Sequence, residues 1–123
     1  MVKYKLTDTT TEWCGHTLHK IEYTEEWLNA QRNGYLEGGW IESEKNLSQD
    51  GSARVTDDAR VYGDARVFGD AHVSDDADVS GNAQVYGNAR VGGNAYIYDD
   101  AQVYGNARIF HGGKVFANAR VIR

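Results

Sequence analysis

Residues 53–76 read ARVTDD-ARVYGD-ARVFGD-AHVSDD, four units of six with alanine first, valine third and a turn-forming pair last. The pattern continues from Ala53 to Arg123 as twelve units, the last one residue short. Alanine leads eleven of them and Gly113 leads the other. Valine holds the third place in ten, with Ile97 and Ile109 in the remaining two. The sixth place is Asp, Asn or, once, Gly112. On a strand, alternate side chains point to opposite sides, so first and third positions share one side and second and fourth the other. Gly-Asp, Gly-Asn and Asp-Asp then turn the chain, since these residues tolerate positive φ. Each unit is one short strand and one corner. Three units close a triangular coil of eighteen residues, and coils stack at the parallel-strand spacing of about 4.8 Å. A helix is excluded, because period six matches neither 3.6 nor seven and a β-branched residue recurs in every unit.

The composition agrees with such a stack. Hydrophobic residues make up 41%, much of it alanine and tyrosine, and proline is absent. That is thin for a globular core but enough for the narrow core of a solenoid. With 123 residues the chain suits one domain. Within it, 1–50 are expected as an N-terminal cap and first turn of the solenoid, and 51–123 as the repeat. A net charge of −5 argues against wholesale binding of nucleic acid. The lone Cys14 makes no internal disulfide, the start MVKYKLTDTTTEW has no apolar leader, and no run approaches a membrane span. A cytoplasmic location without a membrane partner is the expectation.

Parallel stacks need their open edges covered. At the start, Tyr4–Leu6 and Thr17–Tyr23 read as short extended segments. Thr24 suits the N-cap of a helix over about Glu25–Arg32, with Glu25 and Glu26 at its positive end and Asn33-Gly34 at its stop. Trp27 and Leu28 are expected to face the stack, and Trp40 and Ile41 to enter its first turn. After Arg123 no comparable cap is read. The last edge is expected to be covered by another copy, either end to end as a dimer or side by side as a trimer.

Beyond the period itself, the sequence resembles the hexapeptide-repeat, left-handed β-helix proteins. TLHKIEY (17–23) and GYLEGGWIESEKNLSQDGSARV (34–55) resemble the leader of their YdcK-like branch and its phage-encoded relatives, in which GGWIESE and NLSQ open the first coil. The resemblance implies an all-β, single-stranded left-handed parallel β-helix of about four to five triangular coils, with a small α+β N-terminal cap. It also implies a bacterial host cytoplasm and suggests phage origin. Acyltransferases are among the known activities of the fold.

Stacking at eighteen aligns side chains into columns. The fourth positions give Thr56, Ser74, Gly92 and Phe110; then Tyr62, Ser80, Tyr98 and Phe116; then Phe68, Tyr86, Tyr104 and Ile122. The last is expected as an apolar and aromatic ridge, a surface for subunits or a partner. The second positions, Arg54, His72, Arg90 and Arg108 among them, read as solvated surface. Asp57, Asp58, Asp75 and Asp76 fall on one corner and read as turn residues that repel one another, with a cation or a basic partner as alternatives. Residues 50–80 hold eight Asp and three Arg, while 81–123 hold two Asp and five Lys or Arg, so charge is polarised along the prism.

Chemistry is sparse. His111, in a turn, is the better candidate for a general base, ahead of His72. Cys14, His16 and His19 form C-x-H-x₂-H, residue types that suit zinc but offer only three ligands. No phosphate loop or GxGxxG motif opens a helix, so no cofactor is expected. The favoured reading is a non-catalytic oligomeric binding or scaffold protein that meets a protein partner through the ridge and charged corners, in one version an inhibitor of a host defence enzyme. The alternatives are a small acyltransferase using acetyl-CoA with His111 as base, and a sugar-binding module using the exposed tyrosines.

Overall fold

The alanines and valines close around one another. In the computed structural model, which describes residues 2–32 and 34–123, every first and third position from Ala53 to Val103 is at most 1% exposed. The units form a triangular solenoid of about five stacked coils. One face carries β4 (Arg54–Val55), β7 (His72–Val73), β10 (Arg90–Val91) and β13 (Arg108–Ile109). A second carries β3 (Trp40–Ile41), β5 (Arg60–Val61), β8 (Asp78–Val79), β11 (Tyr96–Ile97) and β14 (Lys114–Val115). The third carries β6 (Arg66–Val67), β9 (Gln84–Val85), β12 (Gln102–Tyr104) and β15 (Arg120–Ile122). All these neighbours within a face are parallel, and Val61 stands over Val79 as the period requires.

The corners explain the fifth position. In each of the eleven complete units its φ lies between +54° and +69°, a region costly for residues with a Cβ. Glycine or aspartate fills it until the last two corners, where His111 and Ala117 stand instead. Glycine is needed for space as well: a Cβ on Gly81 would come within 2.9 Å of the Asp99 amide nitrogen.

The stack begins before the regular repeat. Ile41 pairs with Val61 and Leu47 bridges to Val67, twenty residues on rather than eighteen. The two extra residues lie in the corner between Leu47 and Val55. The N-terminal region is more regular than the sequence reading. In place of two short extended segments, a full hairpin forms from β1 (Tyr4–Trp13) and β2 (His16–Tyr23), turning at Cys14-Gly15, both at positive φ. The strand β2 lies antiparallel to β3, which extends the second face to seven strands. The helix α1 (Glu25–Ala30) stops two residues short of expectation. Thr24 caps it by accepting the Trp27 amide at 3.2 Å, and Trp27 and Leu28 are buried. Asn33 lies outside the described residues. No described helix is long and apolar enough to cross a membrane.

This region saturates the first backbone edge. The Tyr23 hydroxyl accepts the Val55 N–H at 2.8 Å and donates to the Val55 carbonyl at 2.7 Å. The Lys3 amine, buried beneath Trp27, donates to the Ala53 carbonyl at 2.8 Å. Burial lowers its pKa to about 8, although nearby Asp50 works the other way. The Asn46 carboxamide donates to the Ala65 carbonyl at 2.9 Å. Buried backbone groups left without such partners are costly. Tyr23→Phe removes both bonds to Val55 while keeping the ring. It is expected to cost about 1–3 kcal/mol, read as a lower urea midpoint with an unchanged far-UV circular dichroism spectrum.

Candidate functional site

Backbone register delivers the aromatic column in a form the sequence did not foresee. Phe68, Tyr86 and Tyr104 stack face to face, with centroids 4.8 and 5.0 Å apart and ring planes within 4°. Each ring covers the next, so all three are only half exposed. Ile122, at 61%, is the open end of the column. The Tyr62 column is broken. Tyr98 and Phe116 stack at 5.4 Å, but Tyr62 is 8% exposed beneath the hairpin tip, against the His16 ring at 5.0 Å. Burial, with the Asp78 carboxylate nearby, pushes its phenol up to about 12. Tyr62 therefore packs the cap and leaves the set of surface contacts.

The hairpin tip also buries an ion pair. Asp78, read from the sequence as solvated, is 3% exposed and bonded to the Arg60 Nε. The Trp13 ring covers the Arg60 guanidinium at 3.8 Å. Burial raises the Asp78 carboxyl, and Arg60 opposes that rise. The C-x-H-x₂-H residues are dispersed across the hairpin. His16 Nδ1 lies 3.0 Å from a Glu42 oxygen, and His19 Nδ1 lies 3.1 Å from the Thr7 carbonyl. Cys14 is exposed. Among the described residues no three His, Cys, Asp or Glu side chains are placed to share a metal ion.

At the acidic corner the carboxylates are bonded upward. The Gly93 N–H donates to Asp75 Oδ2 at 2.9 Å, and the Asp75 N–H donates to Asp57 Oδ2 at 3.4 Å. Asp99 repeats the arrangement, accepting the Ala117 N–H at 3.1 Å. The mutual repulsion read from the sequence is thus offset by backbone donors one coil on. Asp58 and Asp76, in the sixth position, make no such side-chain bond among the described residues. Asp75→Ala loses this acceptor and leaves the Cβ at positive φ without the carboxylate's compensation. It is expected to cost about 1–2 kcal/mol, while Asp76→Ala stays within about 0.5 kcal/mol of the parent. Parallel urea titrations of the two variants check the contrast.

The second-position column of the first face gains most from the structure. Arg54, His72, Arg90 and Arg108 line a groove of about 430 Å³, with Asn88 and Asn106 along its rim. Sequence reading noted the recurring like charges but not the concavity or the amide rim. The missed signal was the same eighteen-residue spacing applied to the sixth position. Burial lowers the His72 pKa below 6.5, helped by Arg54 and Arg90, while Asp57 and Asp75 oppose the shift. The folded state thus resists protonating this ring. Its contribution is present above pH 6.5 and is lost as pH falls through the lower folded value. His72→Gln is expected to flatten the fall in urea midpoint between pH 7.5 and 5.5, measured side by side with the parent.

His111 stands on a corner at φ +58°. Among the described residues no side-chain hydrogen bond orients its ring, and its aromatic neighbour is Phe110 at 6.3 Å. Of the large exposed apolar side chains, Tyr96 43%, Phe110 40%, Phe116 50% and Ile122 61% lie in the C-terminal third, and Val2 60% and Tyr35 78% lie in the N-terminal region.

Comparison with known families adds one finding. Residues 59–75, 83–99 and 101–113 match the family described as YdcK Beta solenoid repeat. No curated protein matches the chain.

Proposed function

We propose, for a chain whose residues 59–75, 83–99 and 101–113 match the YdcK Beta solenoid repeat, that it is a non-catalytic scaffold which self-associates through its last coil and presents its sides to a protein partner. One observation carries this reading. Phe110, Phe116 and Ile122, each at least 40% exposed, ring one coil, with one of them beside each of β13, β14 and β15. A coil ringed by exposed apolar side chains is a surface for association. A second copy fits because the same apolar ring matches itself about a twofold axis. The Phe68, Tyr86 and Tyr104 stack then continues into a shared ridge at Ile122. A bacterial cytoplasmic setting, phage origin and inhibition of a host defence enzyme are finer versions of the same proposal and rest on the resemblance alone.

An acetyl-CoA-dependent acyltransferase draws less support. A general base needs a partner to orient it and a pocket to hold its substrate, and His111 has an exposed corner. Light scattering after gel filtration tests the scaffold reading. The 123-residue chain is expected to run as a dimer, and Phe116→Glu with Ile122→Glu as a folded monomer. A monomeric parent would refute the proposal, as would a double variant that still dimerises.

A further inference from the structure

Three columns of second-position side chains climb the solenoid, and they handle charge differently. On the second face Arg60 is neutralised by Asp78, and Tyr96 separates that pair from Lys114. On the third face Gln84 and Gln102 stand between Arg66 and Arg120. On the first face Arg54, His72, Arg90 and Arg108 follow one another directly. Neighbours there are about 4.8 Å apart along the stack. At such a distance the unit charges of Arg90 and Arg108 repel by roughly 1 kcal/mol even in water. No ion pair relieves this, because among the described residues Arg54, Arg90 and Arg108 form no salt bridge, although the Asp57 and Asp75 carboxylates act on His72.

The two halves of the groove differ. In the lower half Arg54 is engaged by the cap, with its guanidinium over the Trp27 ring at 5.6 Å. Asp70 lies beside it, bonded to the Ser52 hydroxyl at 2.6 Å. In the upper half Arg90 and Arg108 are exposed and make no side-chain hydrogen bond among the described residues. Their rim is neutral: the Asn88 amide donates to the Asn106 carboxamide oxygen at 3.3 Å. No carboxylate lines that half of the groove. A cationic groove in a chain of net charge −5 concentrates positive potential in one place.

We infer that the groove binds a linear anionic glycan, with Arg90 and Arg108 gripping successive sulfate or carboxylate groups and Asn88 and Asn106 bonding the sugar hydroxyls. Guanidinium forks match planar and tetrahedral oxyanions. The single-file ladder favours a polymer whose charges recur at about one coil height, as they do along a chain of charged pyranoses. An extended acidic peptide sets its same-side groups about 6.8 Å apart, out of step with the arginines. Single-stranded nucleic acid needs aromatic platforms beside its backbone track, and no Phe, Tyr or Trp lines the groove.

Fluorescence anisotropy with a labelled heparin hexasaccharide tests the site on the full chain, with oligo-dT and oligoglutamate as comparators. The parent is expected to bind the hexasaccharide in a salt-sensitive way. Arg90→Gln with Arg108→Gln is expected to weaken binding at least tenfold, while Arg66→Gln with Arg120→Gln leaves it unchanged. If the groove pair loses its fold by circular dichroism, Arg108→Glu alone carries the same expectation. Absence of binding by the parent overturns the inference. Equal losses in both pairs do so too, as does tighter binding of oligo-dT or oligoglutamate through the same arginines. The test stands apart from self-association, since Phe116→Glu with Ile122→Glu leaves the groove intact and should bind the hexasaccharide as the parent does.

Discussion

The positive-φ residue at every corner is the constraint from which the rest follows. It turns the chain sharply enough that three units close a coil, and it places equal positions eighteen residues apart. Once that register holds, side-chain choice at one position is felt one coil away. Where the corner residue is glycine, the next corner's backbone sits close above it, as Asp99 does over Gly81. Where it is aspartate, the carboxylate takes up a backbone N–H of the coil above. The two residue types solve the same conformational demand, but only aspartate adds a side-chain rung between coils. His111 and Ala117 solve neither, which makes the last corners the most strained of the set.

The fold leaves a backbone edge wherever a coil has no neighbour, and the N-terminal region answers with chemistry matched group by group. Carbonyls facing down meet a lysine amine, a tyrosine hydroxyl and an asparagine amide, while the one N–H at Val55 meets the same tyrosine oxygen. A buried lysine is an unusual donor, and burial holds its amine near the point of losing its proton. Its retention is intelligible because its amine reaches carbonyls that the hairpin backbone does not meet. The same region hides Tyr62 and Asp78, so the cap shapes the second face as well as the edge.

Legibility followed the period. The repeat, the inward alanines and valines, the corner chemistry and the stacking partner of each residue were all readable, because a solenoid converts sequence distance directly into height. The helix start was readable from Thr24, Glu25 and Glu26. The hairpin was underestimated because β1, with KLTDTTTE at its centre, is polar along its length and carries little alternation. Nothing local to Tyr62 or Asp78 marked them as buried. Their burial comes from Trp13 and His16 folding over the second face, a long-range contact that no periodicity encodes. The self-stacking of Phe68, Tyr86 and Tyr104 was half visible: the column was evident, but that each ring would cover its neighbour depends on rotamers.

Stacking identical positions has an electrostatic consequence that a globular fold avoids. Any charge at the second position is repeated at coil height unless the sequence intervenes. Two faces of this solenoid intervene, one with an aspartate and the other with two glutamines. The first face does not, and there burial, helped by Arg54 and Arg90, presses His72 toward its neutral form. Arg54 packs on the cap at Trp27, but Arg90 and Arg108 are exposed and make no side-chain hydrogen bond among the described residues, and the alanines and valines beneath them would pack the same way under neutral side chains. A column that is unfavourable in isolation and dispensable for packing is best understood through what it can hold. The other two faces indicate how readily the same architecture does without it.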